Sequence, residues 1–277
     1  MLIITAFQRS GTTALGEQVG AMPDLAYWGE IFHPDGYTAA ESSAKLRLRP
    51  GANWFRFVED VLPPAHRSGP QDEAAVREAW RRYNVHLDRL GSGRRPVLDV
   101  KYNSWHHLQP VWAPIAGPPF LATLLHEQGG AYVHLVRGNV LAQALSEVFA
   151  HESGLWHRRF GQSLELDAFA FAADTQGLLA RMRESRSETA LMRTWLEGRP
   201  HVELTYEDAF DARGDLSEST RAALASLGVD TAAAPRAPVL GRTGQSPNQW
   251  LTNIDEVRAA LEGTEFEDLL EPTLGPA

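Results

Sequence analysis

The chain has 277 residues, and its 26 basic and 35 acidic side chains leave a formal net charge of −9. That balance argues against a nucleic-acid partner, because neutralising a phosphate backbone calls for a basic surface. At 43% hydrophobic and 22% charged the composition is globular rather than disordered, and the lack of cysteine excludes disulfides, thiolate metal sites and cysteine nucleophiles.

Residues 2–7 form a continuous apolar run of strand formers that ends in a glycine-containing turn, the pattern of a strand covered on both faces. Similar runs follow at residues 25–32, 96–102, 131–136 and 201–206. Between them lie helical patterns. One begins near Ala14, and Val76, Trp80, Tyr83, Leu87 and Leu90 recur at steps of four and three, which places them on one face of a helix. Residues 139–151, 166–197, 216–227 and 253–262 repeat that spacing. Strands alternating with helices predict a three-layer α/β fold, with a central, mainly parallel sheet of about five strands flanked by helices.

Two stretches break the rhythm. Residues 34–71 are rich in Pro and Gly without sustained periodicity, an excursion of the kind that serves as a lid or an acceptor-binding loop. Residues 232–250 form a second Ala-, Pro- and Gly-rich loop. The whole of 1–277 is therefore expected to be one domain. With no basic leader and no apolar stretch of about 18 residues, a soluble, cytoplasmic protein without a membrane span is expected.

The segment Phe7-Gln8-Arg9-Ser10-Gly11-Thr12-Thr13 joins the first strand to a helix. Such a turn presents backbone N–H groups where the helix dipole adds positive charge, so it is built to bind an anion. The hydroxyls of Ser10, Thr12 and Thr13 and the forked guanidinium of Arg9 can add to those amides. Aligned with the phosphate loop of nucleotide hydrolases on Gly11, the chain has Thr12 where lysine would hold the β and γ phosphates. A kinase or hydrolase with a degenerate phosphate loop is thus the weaker alternative, and a non-catalytic nucleotide-binding protein is another. A second arrangement lies at the fourth strand, where Arg137 ends the run and Ser146 follows nine positions later on a helix. Both then reach the ligand-binding edge of a parallel sheet and can converge on one phosphate.

These motifs carry a resemblance. F-Q-R-S-G-T-T looks like the 5′-phosphosulfate loop of sulfotransferases that use 3′-phosphoadenosine 5′-phosphosulfate (PAPS). The arginine-to-serine spacing, with A-Q-A-L-S and G-L-W-H downstream, is similar to the bacterial trehalose 2-sulfotransferase-like branch. L-T-Y-E-D at 204–208 resembles a strand-end element of the family, and Gly241-Arg242-Thr243-Gly244 lies where a late loop closes over the nucleotide. Residues 34–71 have no counterpart, and Gly138 stands where a charged residue would be expected.

The resemblance implies a P-loop-like fold and PAPS as donor, with 3′-phosphoadenosine 5′-phosphate (PAP) as product and no metal. It implies donor contacts from Gln8, Arg9, Ser10, Gly11, Thr12, Thr13, Arg137, Ser146, Tyr206, Arg242 and Thr243, and makes a homodimer plausible. The acceptor would be a hydroxyl of a small molecule, carbohydrate or glycolipid. Glu30, after the second run and among aromatic neighbours, is the expected base that takes the acceptor proton, with His33 as competitor. Lys101, one of only two lysines with Lys45, either pairs with a neighbouring carboxylate such as Asp99 or faces the transferring group. His106 and His107, being adjacent, diverge and make a poor metal pair. Trp54, Phe55 and Phe57 are expected to pack under a loop rather than to form a lid.

Overall fold

A computed structural model describes residues 1–33, 49–63, 72–112, 117–156, 169–232 and 247–276. Five strands, β1 (Leu2–Ala6), β2 (Leu25–Glu30), β3 (Arg95–Lys101), β4 (Ala131–Val136) and β5 (His201–Thr205), form one sheet in the order β2-β3-β1-β4-β5. Every neighbouring pair is parallel. The strands coincide with the five apolar runs, and the all-parallel sheet agrees with the alternation of strands and helices.

Strand β1 is buried throughout because it has a strand on each side and helices on both faces. Its side chains alternate between two cores. Ile3 and Phe7 join Leu98, Val100 and Tyr132 beneath α2 (Glu73–Gly91), which supplies Val76, Trp80, Tyr83 and Leu87 as its spacing predicts. Leu2, Ile4 and Ala6 join Val97, Val133 and Leu135 beneath α1 (Thr12–Gly20), which supplies Leu15 and Val19. Trp54 and Phe57 are buried in the first core, so their packing role holds.

A further helix, α3 (Phe120–Glu127), was not expected from the sequence. Its residues F-L-A-T-L-L-H-E turn Leu121, Ala122, Leu124 and Leu125 inward and Thr123, His126 and Glu127 outward, but the stripe lasts only about two turns, too short a run to reveal a helix. Helix α4 (Val140–Ser153) follows β4, and α5 (Thr175–Leu196) starts later than the pattern over 166–197 suggests, with Asp174 capping its first turn. Helix α6 (Glu218–Ser226) covers the α1 side, while α7 (Ile254–Leu261) packs with α4 and α5. Of residues 34–71, the described part 49–63 folds into short helical turns.

The chain runs outward from β1 to β2, returns through β3, and crosses to β4 and β5 on the other side. The carboxyl ends of β1 and β4 are therefore the point where the winding reverses, which is where ligands enter open parallel sheets.

Candidate active site

The turn after β1 holds an uncommon backbone. Arg9 has φ of 62° and Gly11 has φ of 85°, both left-handed. Only Gly fits the second position. A Cβ there would lie 2.5 Å from the Tyr206 ring. That ring in turn carries the Arg137 guanidinium 4.8 Å above its centre, and Arg137 Nη1 donates to the Arg9 carbonyl at 3.0 Å. Tyr206 and Arg137, from the ends of β5 and β4, thus brace the turn from outside.

The Arg9 side chain crosses to α4. Its Nε and Nη2 donate to Ser146 Oγ at 3.3 and 3.2 Å, and Nη1 donates to the Trp156 carbonyl at 2.7 Å. Ser146 is therefore tied to Arg9, and Arg137 to the Arg9 carbonyl, so both residues expected to converge on one phosphate are linked to the β1 turn. Burial lowers the Arg9 pKa, with Arg137 adding to the shift, yet a guanidinium remains charged at working pH. Ser10 is turned inward. Its hydroxyl donates to the Phe7 carbonyl at 2.9 Å and accepts from Gln143 Nε2 at 2.8 Å. Thr13 is half-buried in the first turn of α1, and Gln8 is half-buried before Arg9.

Beside the turn lies a buried charge cluster. Lys101 pairs with Ala6 in the sheet register, so its side chain emerges under α1. There Nζ donates to Thr12 Oγ1 and to both Asp99 oxygens, at 3.0 and 2.9 Å, with Glu30 Oε1 at 3.3 Å. The Lys101 and Asp99 side chains are 5% and 0% exposed, whereas that of Glu30 is 19% exposed and so is the member open to an incoming molecule. Burial works against the Lys101 charge, but Asp99 and Glu30 outweigh it and hold its pKa above the ordinary value. Burial pushes Asp99 up, with Lys101 opposing. Tyr27 Oη donates to Asp99 at 3.4 Å, and burial followed by that carboxylate raises its pKa. Lys101 is thus paired with carboxylates, as one of its two expectations had it, and also touches Thr12 of the β1 turn.

His33 lies three residues beyond Glu30, half-buried, with its amide bonded to the Glu30 carbonyl and its own carbonyl accepting from Asn53. His106 and His107 diverge as expected: the first meets Trp195, and the second meets Phe32 and Phe55. Among the described residues no three His, Cys, Asp or Glu are grouped to hold a metal ion. Arg242 and Thr243 lie outside the described residues.

At the neighbouring turn, after β4, the amides of Gly138 and Asn139 donate to the two Glu207 oxygens at 3.0 and 3.1 Å. The residues that sequence reasoning passed over are Glu207 in this role, Gln143, Ser185 and Trp156. Gln143 left one signal. It is a polar side chain, 2% exposed, within the buried run of Leu141, Ala144 and Leu145, where an amide must find partners to be tolerated.

The fold and this edge define an α/β protein with a side-chain-braced strand-to-helix turn and an adjacent lysine–carboxylate cluster. The sequence matches the Stf0 sulphotransferase family over residues 1–256. The chain belongs to that family. No curated protein matches it. Solved structures that resemble this chain include a sulfotransferase from Alicyclobacillus acidocaldarius, 16% identical with a TM-score of 0.45, covering 100% of this chain and 96% of that one. Another is the sulfotransferase domain from the curacin biosynthetic pathway, 13% identical with a TM-score of 0.44, covering 98% and 89%. The family assignment rests on the sequence match. Among the described residues no helix is long and apolar enough to cross a membrane.

Proposed function

We propose that this sulfotransferase-family protein moves a sulfuryl group from PAPS to a hydroxyl of a small-molecule, carbohydrate or glycolipid acceptor. The observation that carries the reading is the meeting of two groups on adjacent strand ends: the arginine-lined β1 turn, and a lysine that touches Thr12 of that turn on one side and Glu30 on the other. Sulfuryl transfer, like phosphoryl transfer, asks a protein mainly for positioning and for preformed positive charge near the departing oxygen.

In this reading the turn and Arg9 hold the 5′-phosphosulfate, while Ser146 and Arg137 take the 3′-phosphate. Thr12 and Lys101 face the bond that breaks between sulfur and the phosphate oxygen. The acceptor oxygen forms the new bond to sulfur, and its proton passes to Glu30, the partly exposed carboxylate of the cluster. Lys101 is close enough to stabilise charge on either side of the transfer. His33, three residues on, is the second choice for the base.

The test begins with binding. PAP should raise the melting temperature as its concentration rises, and AMP, which lacks the 3′-phosphate, should do much less. No shift with either nucleotide would sink the reading, and magnesium-dependent ATP turnover would replace it with a hydrolase. Glu30→Ala should abolish sulfate transfer while leaving the PAP shift nearly intact. If turnover survives, the base lies elsewhere.

A further inference from the structure

We infer that Gln143, oriented by Ser185, is a positioning residue that sets the backbone of the β1 turn for the anionic 5′ end of the donor; this rests on the donor reading above. Three successive carbonyls of the turn are tied to side chains. Phe7 O accepts from Ser10 Oγ at 2.9 Å, Gln8 O from Gln143 Nε2 at 2.7 Å, and Arg9 O from Arg137 Nη1 at 3.0 Å. In a planar trans peptide the carbonyl and the following N–H point in opposite directions. Tying the three oxygens toward the protein therefore turns the N–H groups of Gln8, Arg9 and Ser10 the other way.

The middle carbonyl matters most, because it belongs to the peptide that enters Arg9. A non-glycine residue at φ of 62° is strained, by about 1 kcal/mol or more, and keeps that shape only where its surroundings impose it. Rotation of this peptide would relieve the strain and aim a carbonyl oxygen at the anion. One Gln143 nitrogen opposes that rotation from both flanks, bonding Gln8 O before Arg9 and Ser10 Oγ after it.

The far end of the same amide accepts from Ser185 Oγ at 2.9 Å. A carboxamide flipped end for end would set its oxygen against the Gln8 carbonyl, and the Ser185 hydroxyl, placed on the oxygen, selects the productive orientation. Gln143, Ser185 and Ser10 are 2%, 3% and 1% exposed, so water cannot substitute for these bonds. None of the three bracing bonds from Gln143 involves the 3′-phosphate contacts proposed for Arg137 and Ser146. The role is therefore separable by ligand.

The experiment compares two probes by calorimetry, adenosine 3′,5′-bisphosphate and adenosine 3′-monophosphate, on the full chain. Gln143→Leu should weaken the bisphosphate about tenfold, the scale of losing one or two buried hydrogen bonds, and leave the 3′-monophosphate unchanged. Ser185→Ala, which removes the orienting hydroxyl with little change of packing, should move the bisphosphate the same way by a smaller factor. Gln143→Glu, which puts an acceptor against the Gln8 carbonyl, should be at least as damaging as Gln143→Leu. Equal losses for both probes would reduce Gln143 to a general support of the fold, and undiminished bisphosphate binding would remove its role; either overturns the inference while the donor reading stands. A wild-type protein that binds neither probe sinks the donor reading, and this inference with it.

Discussion

Two strand-to-helix turns stand side by side at the carboxyl edge of the sheet, one after β1 and one after β4, and the protein treats them in opposite ways. At the β4 turn the amides are already occupied. Glu207 accepts from Gly138 and Asn139, and the Asn139 side chain accepts from the Ala142 amide at 2.8 Å, so the positive end of α4 is satisfied from within. At the β1 turn the carbonyls are the occupied groups, α1 has no acidic residue in its first turn, and no side chain caps it among the described residues. A helix N-terminus alone does not decide where an anion binds. On the proposed function, what decides is which half of each peptide the protein itself consumes.

The largest expected effect comes from the ammonium that touches the β1 turn and has no counterpart at the β4 turn among the described residues. Lys101→Met would leave Asp99 buried beside Glu30 without a cation, and removing one partner of a buried pair costs about 3–5 kcal/mol. Urea denaturation should show that loss, and sulfate transfer should vanish. Stability unchanged from wild type would mean the cluster is not the buried pair described.

A matched pair of glycine substitutions sharpens the contrast between the turns. Gly11→Ala meets both the left-handed backbone and the Tyr206 ring, and should cost about 2 kcal/mol or more together with PAP binding. Gly138→Ala finds its nearest atom, Glu207 Oε2, at an ordinary 3.5 Å and should stay within about 0.5 kcal/mol. Equal melting temperatures for the two variants would erase the distinction.

Strand β4 adds a pH dependence of its own. His134 is fully buried between Tyr102 and Glu203, and burial lowers its pKa to about 4. The unfolded chain therefore takes up that proton first, near pH 6.5, as pH falls. The stability due to neutral His134 is complete above about pH 6.5 and is lost as pH falls through about 4, amounting to about 2 kcal/mol between pH 7 and 5. Melting temperatures of the wild type should fall over that interval more steeply than those of His134→Gln, and parallel curves would exclude the residue.

Glu207 carries a smaller effect than Lys101, Gly11 or His134. Its removal in Glu207→Ala should cost about 1 kcal/mol, as loss of a helix cap does. It should also free the two amides, so that sulfate stabilises the variant more than it stabilises the wild type, measured against chloride at equal ionic strength. An identical sulfate response would mean the β4 turn was never held closed by this carboxylate.

Much of this edge was legible in the residues themselves. The apolar runs marked all five strands, F-Q-R-S-G-T-T marked the strand-to-helix turn after β1, and the scarcity of lysine singled out Lys101. Helix α3 was hidden because its apolar stripe lasts only about two turns. The Arg137 and Ser146 pair was expected to converge on one phosphate; the bonds from Arg9 to Ser146 and from Arg137 to the Arg9 carbonyl, which link both residues to the β1 turn, had no sequence signal. The inward rotation of Ser10 had no sequence signal, since a serine in a turn looks the same whether it faces a ligand or the core.

The division has a physical cause. Hydrophobic periodicity and turn chemistry act over a few residues, so the order of elements, the parallel sheet and the glycine-containing turn after β1 follow from the amino-acid sequence alone. Partnerships between polar groups depend on which strands become neighbours. Lys101 reaches Thr12 across 89 residues and Gln143 reaches the Gln8 carbonyl across 135, because β3 and β4 both lie against β1. Only the assembled sheet, by enclosing these groups away from water, decided that one carboxylate would face solvent, another would be buried under a lysine, and a glutamine would hold the anion turn.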